Sequence, residues 1–274
     1  MARLDFQGNA SALSADGLAG AATKLGVGAA EIWTVVGVET SGCGFIADGR
    51  PTILYERHIF SRLTNHKFDD GDISDPIPGG YGLPGAHQYD RLQRAIAKDR
   101  TAALMSASWG IGQVMGENHV MANFADVETM VAAMADSEDK QLGAMANFLI
   151  ANGLPNALQV HDWTSFARGY NGPNFAINRY DVLLNAEFQK CQAGVMPDLN
   201  TRATQLYLAY LGFPPGPIDG LGGQRTTAAL GDCARQKGIP LGNPSDGQVV
   251  AALNAALPSA FGTAAAGIPG AQSV

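Results

Sequence analysis

The stretch that most constrains this chain is Ile32–Phe45, IWTVVGVETSGCGF. There an apolar run carries one carboxylate, Glu39, and then breaks at Thr-Ser-Gly-Cys-Gly. From Ile32 to Val38 nothing is charged and most side chains are large, a pattern suited to a helix buried on most sides. A carboxylate at the end of such a helix stands in apolar surroundings, so desolvation raises its pKa. The carbonyl end of the helix dipole disfavours the anion further. A carboxyl group kept protonated near neutral pH is what acid-catalysed cleavage of a glycosidic bond requires. Glu39 also suits a plainer reading, a residue that caps or leaves a core helix toward solvent, because perturbed carboxylates occur in structural networks too.

The remaining composition narrows the classes. With 274 residues and 46% hydrophobic content the chain can build one large domain, or a medium domain and a small one. After Met196 four basic residues (Arg202, Arg225, Arg235, Lys237) face four acidic ones (Asp198, Asp219, Asp232, Asp246). The whole net charge of −7 therefore sits before it. Neither part has the basic footprint of a nucleic-acid binder. The first twenty residues lack a basic stretch followed by an apolar one, so no secretory signal is expected. No uncharged apolar run approaches the roughly 18–20 residues of a membrane span. Cys43, Cys191 and Cys233 are scattered and odd in number, which argues against a disulfide framework and fits a reducing cytoplasm. No cysteine pair has metal-site spacing, and the five histidines contain no His-Glu-x-x-His pattern, so neither metal nor cofactor is expected. Cys43 with His58 suggests a thiol nucleophile only weakly, since no orienting Asn or Asp accompanies them.

Along the chain the expected class is mainly α with at most a small sheet. Ser14 caps a helix over Ala15–Leu25 that stops at Gly26, and a second helix runs from Ala29 to Glu39. A short strand follows Pro51. Residues 64–88, rich in Asp, Gly and Pro, read as a long loop, which in a compact domain is usually functional or mobile. One helix is expected over Tyr89–Met105, then helices over Asp126–Ala135 and Ser137–Ala151, a short one over Trp163–Ala167, and a last one over Asn174–Gln192. Composition shifts at Ala193–Pro197. Helices then cover Leu199–Leu211, Gln224–Gln236 and Gly247–Leu257, with Asp219-Gly220 and Asp246-Gly247 marking a weak internal repeat. The division expected is 1–193, 197–258 and a loosely ordered tail at 259–274.

Three stretches change the weight on Glu39: Val38-Glu39-Thr40-Ser41-Gly42, Ser108-Trp109-Gly110-Ile111-Gly112-Gln113-Val114, and Ala167-Arg168-Gly169-Tyr170-Asn171-Gly172. In this order they resemble the three motifs of goose-type lysozymes and soluble lytic transglycosylases. Residues 10–192, including Leu54-Tyr55-Glu56-Arg57-His58-Ile59-Phe60, resemble the bacteriophage N-acetylmuramidase endolysins more closely. The resemblance implies a lysozyme-like α+β domain with Glu39 as catalytic acid. It further implies a sugar cleft formed by Ser108, Gly110, Gln113, Tyr170 and Asn171. Physically, glycines at 110 and 112 let backbone approach a polysaccharide, Gln113 offers donors and acceptors, and the Tyr170 hydroxyl can orient the acid. Read without the resemblance, both later stretches are turns between core elements. A second carboxylate is open: Glu56 first, Asp48 second, with an ion pair as the plainer role for Glu56. Asp69, Asp70, Asp72 and Asp75 read as solvated surface or cleft rim.

Residues 197–258 resemble the three-helix peptidoglycan-binding module of wall hydrolases, carried by Arg202-Ala203-Thr204-Gln205-Leu206, Gly216-Pro217-Ile218-Asp219-Gly220 and Gly223–Leu230. They depart from it at Gly231-Asp232-Cys233-Ala234. The expectation is a monomeric glycoside hydrolase acting on peptidoglycan glycan strands, without nucleic-acid partner or membrane insertion. It is made in the host cytoplasm until released to the periplasm and wall, where it causes host lysis. Two alternatives stand beside it: a lytic transglycosylase leaving 1,6-anhydromuramic ends, and a non-catalytic wall-binding protein.

Overall fold

Local capping sets the first elements. In the computed structural model, which describes residues 4–40, 42–258 and 261, the Ser14 hydroxyl accepts from the Gly17 N–H to open α1 (Ala15–Leu25), and Gly26 closes it at φ 69°. The apolar run becomes α2 (Ala29–Thr40), buried at five consecutive positions, Ile32 to Val36. Its one polar core residue, Thr34, donates to the Ala30 carbonyl at 2.7 Å, so no buried hydroxyl goes unpaired.

Pro51 leads into β1 (Ile53–Tyr55), after which Glu56 precedes α3 (Arg57–Leu63). The loop that follows is tied internally. Asp70 accepts the N–H groups of Asp72, Ile73 and Ser74, Asp69 accepts from Ser74, and Asp75 pairs with Arg57 at 3.2 Å. The single helix expected over 89–105 is two, α4 (His87–Ile96) and α5 (Arg100–Met105). Asp99 turns out of the helix at φ −156°, and its carboxylate accepts from the Ala102 N–H to start a new one.

The Gly-punctuated stretch that follows is a hairpin, β2 (Ala107–Trp109) and β3 (Val114–Met115). It completes an antiparallel sheet of order β1-β2-β3 in which Ile53 faces Trp109 and Ser108 faces Met115. Then come α6 (Val127–Asp136), α7 (Glu138–Ala151), a short α8 (Pro155–Gln159) that the sequence reading lacked, α9 (Trp163–Asn171) and α10 (Tyr180–Gln192). The stretch expected as one helix from Asn174 begins as a 3₁₀ turn at Phe175–Ile177 and breaks at Arg179, whose φ is 54°. α10 lies along α2 and α1 along α7, so the Glu39 helix is enclosed. The fold is thus predominantly α-helical with one small sheet, consistent with a lysozyme-like architecture.

A second apolar cluster forms on α11 (Leu199–Tyr210), α12 (Gln224–Lys237) and α13 (Gly247–Ala255), around Leu206, Leu230, Cys233 and Leu253. Gln205 keys its central turn, accepting from the Gly220 N–H at 2.8 Å and donating to the Leu221 carbonyl at 3.0 Å. The halves of the sequence repeat differ in use. Asp246 caps α13, whereas Asp219 accepts from Leu221 inside the turn and Gly223 precedes α12. This cluster also takes in Ala10 and Phe45 from the N-terminal part. The tail expected at 259–274 lies, Phe261 apart, outside the described residues; the Phe261 ring stacks on Tyr210 at 4.6 Å. Among the described residues no helix is long and apolar enough to cross a membrane.

Candidate active site

Glu39 sits on the last turn of α2, one residue before Thr40 bonds the Ile111 carbonyl at 3.2 Å. Burial pushes its carboxyl up to about 7, and the one hydrogen bond that opposes the shift comes from Asn171, whose Nδ2 donates to Oε1 at 2.9 Å. A carboxyl at that value is half protonated at neutral pH and can deliver a proton there. The Asn171 Oδ1 atom is buried with no hydrogen-bond partner among the described residues, an acceptor beside the Glu39 carboxyl.

Tyr170 and Asn171 reach this place because α9 continues past Ala167 to Asn171. Gly169 packs this turn against Leu154: a Cβ there would stand 2.3 Å from Leu154 Cδ2, so any larger residue would have to push that side chain aside. Tyr170 stacks on Phe166 at 5.5 Å and meets Phe148 edge-on at 5.7 Å, and its hydroxyl donates to the Gly112 carbonyl. The phenol is held far above its ordinary range by burial and then by the Glu39 charge. The hydroxyl thus ties α9 to the Gly turn, and Asn171 makes the hydrogen bond to Glu39.

The turn between β2 and β3 is internally bonded. Ser108 Oγ donates to Gln113 Oε1 at 2.7 Å, and Gln113 Nε2 donates to Gly110 O at 2.8 Å and Thr52 O at 3.1 Å. Both ends of the Gln113 amide are therefore occupied within the protein, and these bonds hold Gln113 at a φ of 47°. The glycines serve packing: a Cβ on Gly110 would meet Gln141 at 2.6 Å and one on Gly112 would meet Met145 at 2.7 Å. Ile111 N–H in turn donates to Gln141 Oε1 at 2.7 Å. The turn is clamped onto α7, with Thr40 on one side and Tyr170 on another.

Glu56 is half-buried, with Oε2 3.1 Å from His58 Nδ1 and the Tyr81 hydroxyl against its carboxyl. Burial raises its pKa against the opposing pull of His58, Tyr81 and Arg91. Asp48 is occupied otherwise: its carboxylate takes the Arg50 backbone N–H at 3.0 Å and the guanidinium at 2.7 Å, and that guanidinium lies 4.0 Å from the Tyr89 ring centre.

Two site tyrosines escaped the sequence reading. The Tyr180 phenol is raised by burial and by Glu39, and Tyr81 by burial, Glu56 and then Tyr180. Glu39, Tyr180, Tyr81 and Glu56 thus form a run in which each group acts electrostatically on the next. Tyr81 carried one signal, as the sole aromatic residue of the Gly/Pro-rich stretch between Phe68 and Tyr89. Ser41 lies outside the described residues. The Cys43 thiol, pushed up to about 12 by burial and the Glu138 charge, is unsuited to nucleophilic work. Among the described residues no cluster of His, Cys, Asp and Glu could hold a metal ion.

The family model for N-acetylmuramidase matches residues 28–192, the span that carries Glu39, the Gly-Gln turn and the Tyr-Asn step. The crystal structure of a Burkholderia AP3 phage endolysin is similar at 35% identity with a TM-score of 0.60, covering 71% of this chain and 74% of that one. No curated protein matches. The helical unit after Met196 lies beyond the matched family span, but residues 28–192 exceed half of the chain, and on that span the protein belongs to the N-acetylmuramidase family.

Proposed function

We propose that this protein is a phage endolysin. It hydrolyses the β-1,4 bond between N-acetylmuramic acid and N-acetylglucosamine in peptidoglycan, with Glu39 as general acid. The observation that carries the reading is the half-buried Glu39 carboxyl, pushed by burial to about 7, with Asn171 its one side-chain donor among the described residues. Glu39 protonates the glycosidic oxygen, an oxocarbenium-like centre develops, and water adds to it. Asn171 orients the acid from one side, and its open Oδ1 accepts from a substrate N–H or hydroxyl. Ser108, Gly110, Gln113 and Tyr170 shape the cleft from behind, fixing the backbone beside the acid. Glu56 is the second carboxylate, across Tyr180 and Tyr81, and its raised pKa and contact with His58 suit a group that positions water.

Residues 1–193 form the catalytic domain in this reading, and 197–258 act as a wall-binding module that raises its effective concentration at the polymer. The protein acts as a monomer and stays in the host cytoplasm until it is released to the wall. One experiment tests the chemistry. Peptidoglycan digested by the protein is analysed by mass spectrometry alongside a Glu39→Gln digest. Reducing muramic ends from the native protein and none from the variant support the reading. Anhydromuramic ends make it a transglycosylase, and an active variant removes Glu39 from the chemistry.

A further inference from the structure

Three residues beyond Glu39 the chain enters a cage built partly by the C-terminal helices. Arg202 on α11 is 1% exposed and Glu138 on α7 is fully buried, and their side chains form a two-pronged ion pair. Arg202 Nε also donates to the Gly42 carbonyl at 2.7 Å, and its Nη2 reaches the same oxygen. Glu138 Oε1 accepts the Gly44 N–H at 2.8 Å, so the pair grips both sides of Cys43. Gly42 is pressed from outside as well: a Cβ there would stand 3.1 Å from the Ile218 carbonyl. The Arg202 guanidinium also lies 5.9 Å from the ring centre of Trp33 on α2. From Gly44 the cage continues to Gln141, which donates to the Gly44 carbonyl at 3.3 Å and accepts from Ile111 of the Gly-Gln turn.

From this geometry we infer that Arg202 is a positioning residue for Glu39, so that the three-helix unit completes the catalytic centre of its own chain. The inference rests on Glu39 being the acid. A guanidinium suits the task because its planar fork can bond a carboxylate and a carbonyl at once, which an ammonium cannot reproduce. Glu39 lies on the last turn of α2, and the Cys43 N–H turns back to the Thr40 carbonyl at 3.4 Å. Both residues 42–44 and the Gly-Gln turn are thus tied to Thr40, the residue after the acid, through the Cys43 N–H and the Ile111 carbonyl. The groups that face Glu39 are Tyr170 and Asn171 on α9 and Tyr180 on α10, with Glu187 of α10 packed against Gly37 one half-turn earlier.

The test uses the full-length protein with Arg202→Lys and, separately, Arg202→Met with Glu138→Leu. The double variant removes both buried charges, so its folding does not depend on an uncompensated ion. Turnover and KM are measured across pH on a short soluble glycan, too small to report wall targeting, well below each variant's Tm. The expected result is a kcat loss of about 10- to 100-fold at a KM changed by less than about twofold, the size that small misplacement of a catalytic group produces. The basic limb of the profile moves to lower pH as the loosened segment hydrates Glu39. A folded variant of either kind with native kcat and native pH profile overturns the inference, whatever its Tm. Glu39→Gln is assayed beside them. If it is inactive while the Arg202 variants are native, only the inference fails; if it is active, the proposed function itself fails.

Discussion

Glu138 is fully buried and Glu39 partly so, and the donors around the two carboxylates differ in number and kind. Glu138 receives the Leu13 and Gly44 N–H groups and both prongs of Arg202, so its charge is matched on every side. Glu39 receives one amide proton from Asn171, and burial dominates its ionisation. A fully donated carboxylate holds chain segments together. A sparsely donated one keeps a proton that it can give away. The number and kind of donors separate the two more sharply than burial does.

The largest effect that can break this comparison is on turnover. Glu39→Gln is expected to lower activity by about 10²–10⁴-fold, the usual share of a general acid, measured as release of reducing ends. Glu138→Gln acts mainly on stability. It leaves the Arg202 charge buried with half its partner, at a cost of about 3–5 kcal/mol in urea denaturation. Replacing both members by apolar residues is expected to cost less than that single change, and an equal or larger cost would mean that the pair adds net stability.

Glu39 itself acts on stability in the opposite sense. Its folded pKa, about 7, lies above the ordinary 4.5, so the folded state favours the protonated form. That contribution is fully present below about pH 4.5 and is lost as pH rises to about 7, where the folded group ionises too. Two and a half units correspond to about 3 kcal/mol. Glu39→Gln removes the penalty and still offers Asn171 an acceptor, so at pH 8 the inactive variant should melt higher than the native protein. Equal Tm values at pH 8, with the native protein no more stable at pH 5, would show that Glu39 is hydrated.

How much of this was legible follows from where the signals reside. Ser14, Gly26, Asp126 and Ser137 cap their own helices, so those boundaries stand in the local sequence. Glu39 was legible because one carboxylate in an uncharged run is itself a pattern. Asp99 hid inside an apolar-periodic stretch and split the expected helix in two. The Gly169-Tyr170-Asn171 step has the composition of a turn, yet it ends α9, held there by distant partners: Leu154, Gly112 and Glu39. The β2–β3 hairpin pairs with a strand more than fifty residues earlier, which no local window reveals. Glu138 and Arg202 are sixty-four positions apart, and each reads alone as a charge on a solvated helix face. Gln113 was singled out for its amide, and the fold uses that amide to hold its own turn.

The finest test of the comparison changes Asn171, the one side-chain donor to Glu39 among the described residues. Asn171 lowers the carboxyl against the rise that burial imposes, so removing it should move the acid further up. With Asn171→Ala the basic limb of the rate profile, set by loss of the Glu39 proton, should shift to higher pH by about one unit. That matches the roughly 1.5 kcal/mol at the low end for a hydrogen bond to a charged group. Turnover at its optimum should fall as well, because the acid is no longer oriented. The two changes have different signatures, a displaced limb and a lowered plateau. A lowered plateau with an unmoved limb would mean that water replaces the amide. Asn171→Asp sharpens the point: a second carboxyl at 2.9 Å cannot ionise freely beside the first, and the pair should titrate in two separated steps.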